Sequence, residues 1–149
     1  MDEAEMSPGD LELEITESMA MADPEITRNT LVELKELGVR IMLDDFGTGY
    51  SSLSHIRHFP LDGLKIDGQF VQQSVKTDRD SKLMKGIIML ARALDLHIVA
   101  EGVETEEQLA LLKEMDCQTV QGFYFTHALP HNEYKEWCTL FTTNSLLRM

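Results

Sequence analysis

Positive charge is what this sequence has least of. Thirteen lysines and arginines stand against 26 aspartates and glutamates over 149 residues, a formal net charge of −13. Such a chain has no surplus of cations with which to neutralise a phosphate backbone, which argues against DNA or RNA binding by a basic face. Cysteine is scarce as well. Cys117 and Cys138 sit far apart without ligand spacing, so two buried or half-buried thiols in a reducing compartment are expected, not a metal site. No apolar run approaches the ~20 residues that a membrane span needs, and no signal peptide is evident. The expectation is a cytoplasmic location, compatible with a membrane-bound parent protein. With 43% hydrophobic residues the length supports one domain with a real core.

What is present is a repeated grammar of apolar runs ending in polar residues. Ile41, Met42 and Leu43 lead into Asp44-Asp45, and Phe46-Gly47-Thr48-Gly49-Tyr50-Ser51-Ser52-Leu53 follows as a glycine- and hydroxyl-rich loop. This reads as a buried strand that delivers two carboxylates at its carboxyl end. Four other runs do the same: 11–17 delivers Glu14, 64–67 Lys65, 97–104 Glu101 and 119–125 Gln121. Strand residues alternate faces, so each of these can point away from the flanking aliphatics. Functional residues at the carboxyl ends of several parallel strands are characteristic of a β/α barrel.

Helical patterns separate the runs. Asp23-Pro24 predicts a helix start closed by Gly38, with a stripe of Leu31, Leu34 and Leu37. A second helix is predicted over about Asp80 to Leu94, with Leu83, Ile87, Leu90 and Leu94 inward. Thr105 and Gln108 fit a capping box before Leu109, Leu112 and Met115. A last helix, about Asn132 to Phe141, follows Pro130 and is expected to bury Tyr134, Trp137 and Phe141. Alternating strands and helices predict a parallel α/β sheet.

Glu-Ile-Thr-Glu-Ser (14–18), Asp-Asp-Phe-Gly-Thr-Gly-Tyr-Ser-Ser-Leu (44–53), Lys-Ile-Asp (65–67), Ala-Glu-Gly-Val-Glu-Thr (100–105) and Gln-Gly-Phe (121–123) resemble the EAL domain, in that family's order. The family hydrolyses the bacterial second messenger cyclic di-GMP to linear pGpG. The resemblance spans about Leu11 to Phe141, leaving residues 1–10 as an acidic, turn-prone leader before a domain over 11–149. It implies Glu14, Asp44, Asp45 and Glu101 as ligands of two Mg²⁺ or Mn²⁺ ions, with Asp44 bridging. Lys65 then lies beside the attacking water, with a lowered pKa suited to a base; its structural alternative is a salt bridge to Asp67 or another acid. Glu104 orients Lys65 or a water, or else only favours a helix amino terminus. Gln121 lies near the reactive centre or is an interior amide. Glu17 anchors the loop Gly47, Thr48, Gly49, Tyr50 and Ser51, which in the family couples a dimer interface to metal binding.

The acidity fits this resemblance, because the substrate's phosphodiesters would be repelled by carboxylates unless divalent cations lay between them. Glu12 shares the face of Glu14 and reads as structural, paired with a base the sequence does not identify. His55 and His58 fall outside the matched motifs, and His97, His127 and His131 look incidental.

The sequence also departs from the family. The Glu-Ala-Leu segment and the asparagine-bearing strand after it are absent, and a barrel of this type needs roughly 250 residues. The expectation is a partial barrel of about five β/α units with its first strands missing, needing an amino-terminal half or a second copy beside it. Three functional readings follow: a phosphodiesterase; a degenerate module that binds the nucleotide or a partner without turnover; and a part of a longer enzyme, inactive by itself.

Overall fold

Alternation of Leu13 and Ile15 with Glu12 and Glu14 makes the first strand two-faced, and it runs over Glu12–Thr16 (β1). Four more strands follow: Arg40–Phe46 (β2), Gly63–Ile66 (β3), His97–Ala100 (β4) and Thr119–Val120 (β5). The structure is a computed structural model that describes residues 6–47 and 56–143. All neighbouring strands are parallel and lie in sequence order, as the α/β reading predicts. Among the described residues the sheet is open, with β1 and β5 at its edges.

One face of the sheet is the core. Ile41, Leu43, Leu64, Ile66, Ile98 and Ala100 pack in one cluster with helix residues Leu31, Met84, Ile87, Ile88, Ala91, Leu109 and Leu112. Each Leu or Ile so buried contributes about 1.5–3 kcal/mol. The opposite face is polar at both ends. Glu12 finds its base there: β1 and β2 pair Glu12 with Arg40, whose Nη1 lies 3.9 Å from Glu12 Oε2.

Among the described residues six helices connect or follow the strands: Glu17–Ala22 (α1), Pro24–Glu36 (α2), Gly68–Ser74 (α3), Asp78–Ala93 (α4), Glu106–Glu114 (α5) and His131–Thr143 (α6). Asp23 caps α2 by accepting from Ile26 N, and Pro24 occupies its first turn, as predicted. Thr105 and Gln108 form the predicted capping box of α5. The acidic leader contains a short 3₁₀ turn, Pro8–Asp10, capped by Ser7. Cys117 is buried, and that burial pushes its thiol pKa up; Cys138 is half-buried.

Three helix faces differ from expectation. Leu37 caps the end of α2 and is exposed. On α4 Ile87 is buried and Leu90 and Leu94 pack against the core as predicted, but Met84, Ile88 and Ala91 are buried beside them and Leu83 is exposed. Tyr134 of α6 is exposed and Trp137 half-buried, their rings stacked at 6.3 Å. A helix that follows an edge strand of two residues has little sheet to cover it. Phe141's side chain lies outside the described residues.

Candidate active site

The acid pair owes its placement to an irregularity. Leu43 pairs with Leu64 and Phe46 with Ile66, so Asp44 and Asp45 together oppose the single residue Lys65. This is a β-bulge, which re-aims side chains at a strand's end. Asp45 takes up the extra residue in the left-handed region (φ +56°), where aspartate is among the better-tolerated side chains.

Lys65 is the centre of the site. Its strand is buried at every residue, and its Nζ lies 2.6 Å from Glu14 Oε1, 2.8 Å from Glu101 Oε1 and 3.6 Å from Asp44 Oδ1. Three strands thus send a carboxylate to the ammonium carried by a fourth. Gln121, just beyond β5, donates Nε2 to Glu101 Oε1 at 2.7 Å. Asp44 Oδ1 is shut off from solvent and has no hydrogen-bond partner among the described residues.

Without a metal, acids set the electrostatics at Lys65. Burial pushes the Lys65 ammonium down, but hydrogen bonds to Glu101 and Glu14, with the charges of Glu101 and Asp44, outweigh it and hold its pKa above the ordinary value. A lowered pKa presupposes cations beside the lysine; its neighbours here are acids. The salt bridge that was the structural alternative for Lys65 is made to Glu14 and Glu101 and not to Asp67, whose Oδ1 accepts from Gln69 N and caps α3. Asp45 has its pKa raised, by loss of solvation first and then by the charges of Asp44 and Asp67. Asp67 thus borders the site through its charge on Asp45 and not as a partner of Lys65.

Glu17 is 2% exposed and its Oε2 accepts from Gly47 N at 3.1 Å. Gly47 is required twice: its φ is +100°, and a Cβ there would run into the Phe70 ring of α3. Thr48, Gly49, Tyr50 and Ser51, and also His55, lie outside the described residues. Glu104 is exposed and is not among the ion-pair partners of Lys65. It lines a cavity of about 560 Å³ together with Glu101, Gln121, Phe123, Thr126 and His127. His127 stacks on Phe123 at 4.1 Å, and His97 Nε2 lies 2.9 Å from Thr119 Oγ1.

Acids delivered by successive parallel strands to one buried lysine, in this order, match a known domain: residues 1–128 fit the model of the EAL domain. The chain belongs to the EAL domain family. The cyclic di-GMP phosphodiesterase NbdA of Pseudomonas aeruginosa is 48% identical over 120 residues, covering 80% of this chain and 15% of that protein. The PaMucR phosphodiesterase in its c-di-GMP complex superposes with a TM-score of 0.82 at 41% identity, covering 87% of this chain and 52% of that one. The Klebsiella pneumoniae BlrP1 manganese/cy-diGMP complex gives 0.78 at 30% identity, covering 84% of this chain and 32% of that one. EAL domains are TIM-like barrels, and the five parallel strands form part of one. This chain spans 15–19% of the length of the curated relatives it matches. No helix among its described residues is long and apolar enough to cross a membrane.

The donor set of this EAL site is chemically suited to a hard divalent cation, since every candidate ligand is a carboxylate oxygen. Asp44 Oδ1, buried and without a hydrogen bond, is the orphan that such an ion would satisfy. Among the described residues no three acids or histidines already stand close enough together to form a ready cage.

Proposed function

We propose that this chain supplies the lysine side of a phosphodiesterase centre that opens cyclic di-GMP to linear pGpG. The observation that carries the reading is the meeting of Glu14, Asp44 and Glu101 at Lys65, from three strands, in a chain whose relatives include a cyclic di-GMP phosphodiesterase. Glu14, Asp44, Asp45 and Glu101 are the residues that would hold Mg²⁺ or Mn²⁺, with Asp44 shared. Bound there, two divalent ions supply Lewis-acid activation of a water and offset charge at the phosphoryl oxygens.

Lys65, held among these carboxylates, would stand beside the water between the ions, orienting it or accepting its proton. Gln121 fixes the rotamer of Glu101. Glu17 steadies the turn at Gly47 and, through it, the loop that would meet a second copy. Glu104 faces the cavity beside Glu101, where it would meet substrate or a water. A cytoplasmic location, where such a messenger would be met, goes with this reading.

The sequence contains neither the Glu-Ala-Leu glutamate nor the asparagine, so this chain alone is expected to cleave little above background. Fused to, or mixed with, an amino-terminal EAL segment bearing both, it should form pGpG, followed by chromatography with Mg²⁺ or Mn²⁺. An inactive completed domain would favour the second reading, a module that binds the nucleotide or a partner without turnover.

A further inference from the structure

Lys65 does more here than stand near a reacting group. Its ammonium is within ion-pair distance of carboxylates on β1, β2 and β4 at once, while its own strand is held between β2 and β4. Asp44 Oδ1 faces it at 3.6 Å, inside ion-pair distance but without a hydrogen bond. Among the described residues the acids do not close into a cage, and three of them instead meet the ammonium.

We infer that Lys65 is a stand-in cation: it holds Glu14, Asp44 and Glu101 converged before a divalent ion arrives, and competes with that ion for the same oxygens. The inference rests on the reading of these acids as metal ligands. It makes Lys65 a positioning residue for metal capture, in addition to any part in turnover.

Removing the lysine has two opposed effects. The acids lose the charge that gathers them, which weakens metal binding. They also lose a competitor, which strengthens it. The second effect wins, for a structural reason. The β-ladder fixes the strands that carry Asp44 and Glu101, and Gln121 holds Glu101 independently of the lysine. Only Glu14, on the edge strand and 45% exposed, depends mainly on Lys65 for its orientation.

The test is Mn²⁺ titration of the full 149-residue chain, read by calorimetry, together with thermal melting without metal. Lys65→Met keeps the aliphatic stem and removes the charge. It should lower the metal-free melting temperature and yet tighten Mn²⁺ binding by about tenfold, within the usual range for two antagonistic ligands. A lysine needed only for folding would weaken Mn²⁺ binding instead. Lys65→Arg, which keeps a cation, should bind Mn²⁺ no tighter than the parent. Adding Glu14→Gln to Lys65→Met removes one acid with the lost cation and should recover melting temperature.

Mn²⁺ binding by Lys65→Met no tighter than the parent overturns the inference while leaving the metal site intact. Should Lys65→Met be unfolded without metal, Mn²⁺-driven recovery of its circular dichroism supports the inference, and failure to recover overturns it. If neither chain binds Mn²⁺, the inference falls together with the ligand assignment. An inactive completed domain, by contrast, sinks the phosphodiesterase reading and leaves tighter Mn²⁺ binding by Lys65→Met standing.

Discussion

Glu101 Oε1 accepts a hydrogen bond from Gln121 Nε2 at 2.7 Å while lying 2.8 Å from Lys65 Nζ. One oxygen thus serves two donors and ties β3, β4 and the end of β5 together. If Lys65 acts on the water and not chiefly on the nucleotide, its loss should be felt in the chemical step. In the completed domain Lys65→Ala should lower kcat by about 10²-fold or more with little change in nucleotide binding. Steady-state pGpG formation beside equilibrium binding measures both. A loss confined to binding would contradict the role.

Asp45 offers a trade between stability and ligand capacity. Its folded pKa is raised, so the folded chain holds that proton more tightly than the unfolded one does. Stability from this group is therefore lost as pH rises from the ordinary aspartate value through the raised one, and the ionised carboxylate is a liability at neutral pH. Asp45→Asn should melt higher than the parent at pH 7 without metal, and the gain should vanish below about pH 3. The same substitution should abolish Mn²⁺ binding, which is expected as a single weak site. Higher stability together with retained Mn²⁺ binding would remove Asp45 from the ligand set.

Gly47 is a mechanical test of the loop anchor. Gly47→Ala meets both an unfavourable φ and the Phe70 ring, a combined cost of about 1–3 kcal/mol. Chemical denaturation should show that loss. Adding Phe70→Ala relieves the clash but not the dihedral, so the double variant should lose less than the sum of the two single changes.

The open sheet carries its own prediction. Unpaired edges at β1 and β5 invite pairing with another chain. The isolated chain should therefore associate, as a dimer or beyond, or melt at low temperature. A sharp monomer peak in sizing with high thermal stability would count against it.

How far the sequence reaches depends on the kind of contact. The strands were legible because their apolar runs are short and each ends in chemistry. Glu14, Asp44 and Glu101 were legible as neighbours only through the resemblance, since Glu14 and Lys65 are 51 positions apart in the chain. The partner of Glu12 was hidden because Arg40 becomes its neighbour through strand register alone. On α4 only Leu83 was misassigned to the core, because Leu83 and Met84 are both apolar and only packing chooses between them. The short helices α1 and α3 went unseen because each occupies six or seven residues. Their caps, Thr16 and Asp67, lie inside motifs that drew attention to other chemistry.

The bulge in β2 makes the acid pair a matter of chain length as much as of residue type. Two residues of one strand face one of the next, and that surplus residue puts Asp44 and Asp45 together opposite Lys65 in the ladder. Loss of a single codon between Leu43 and Phe46 would leave a tidier ladder and only one acid opposite the lysine. Over this stretch the gene is therefore exposed to in-frame deletion in a way that a catalogue of point substitutions would not reveal, and relatives should vary here in composition sooner than in spacing.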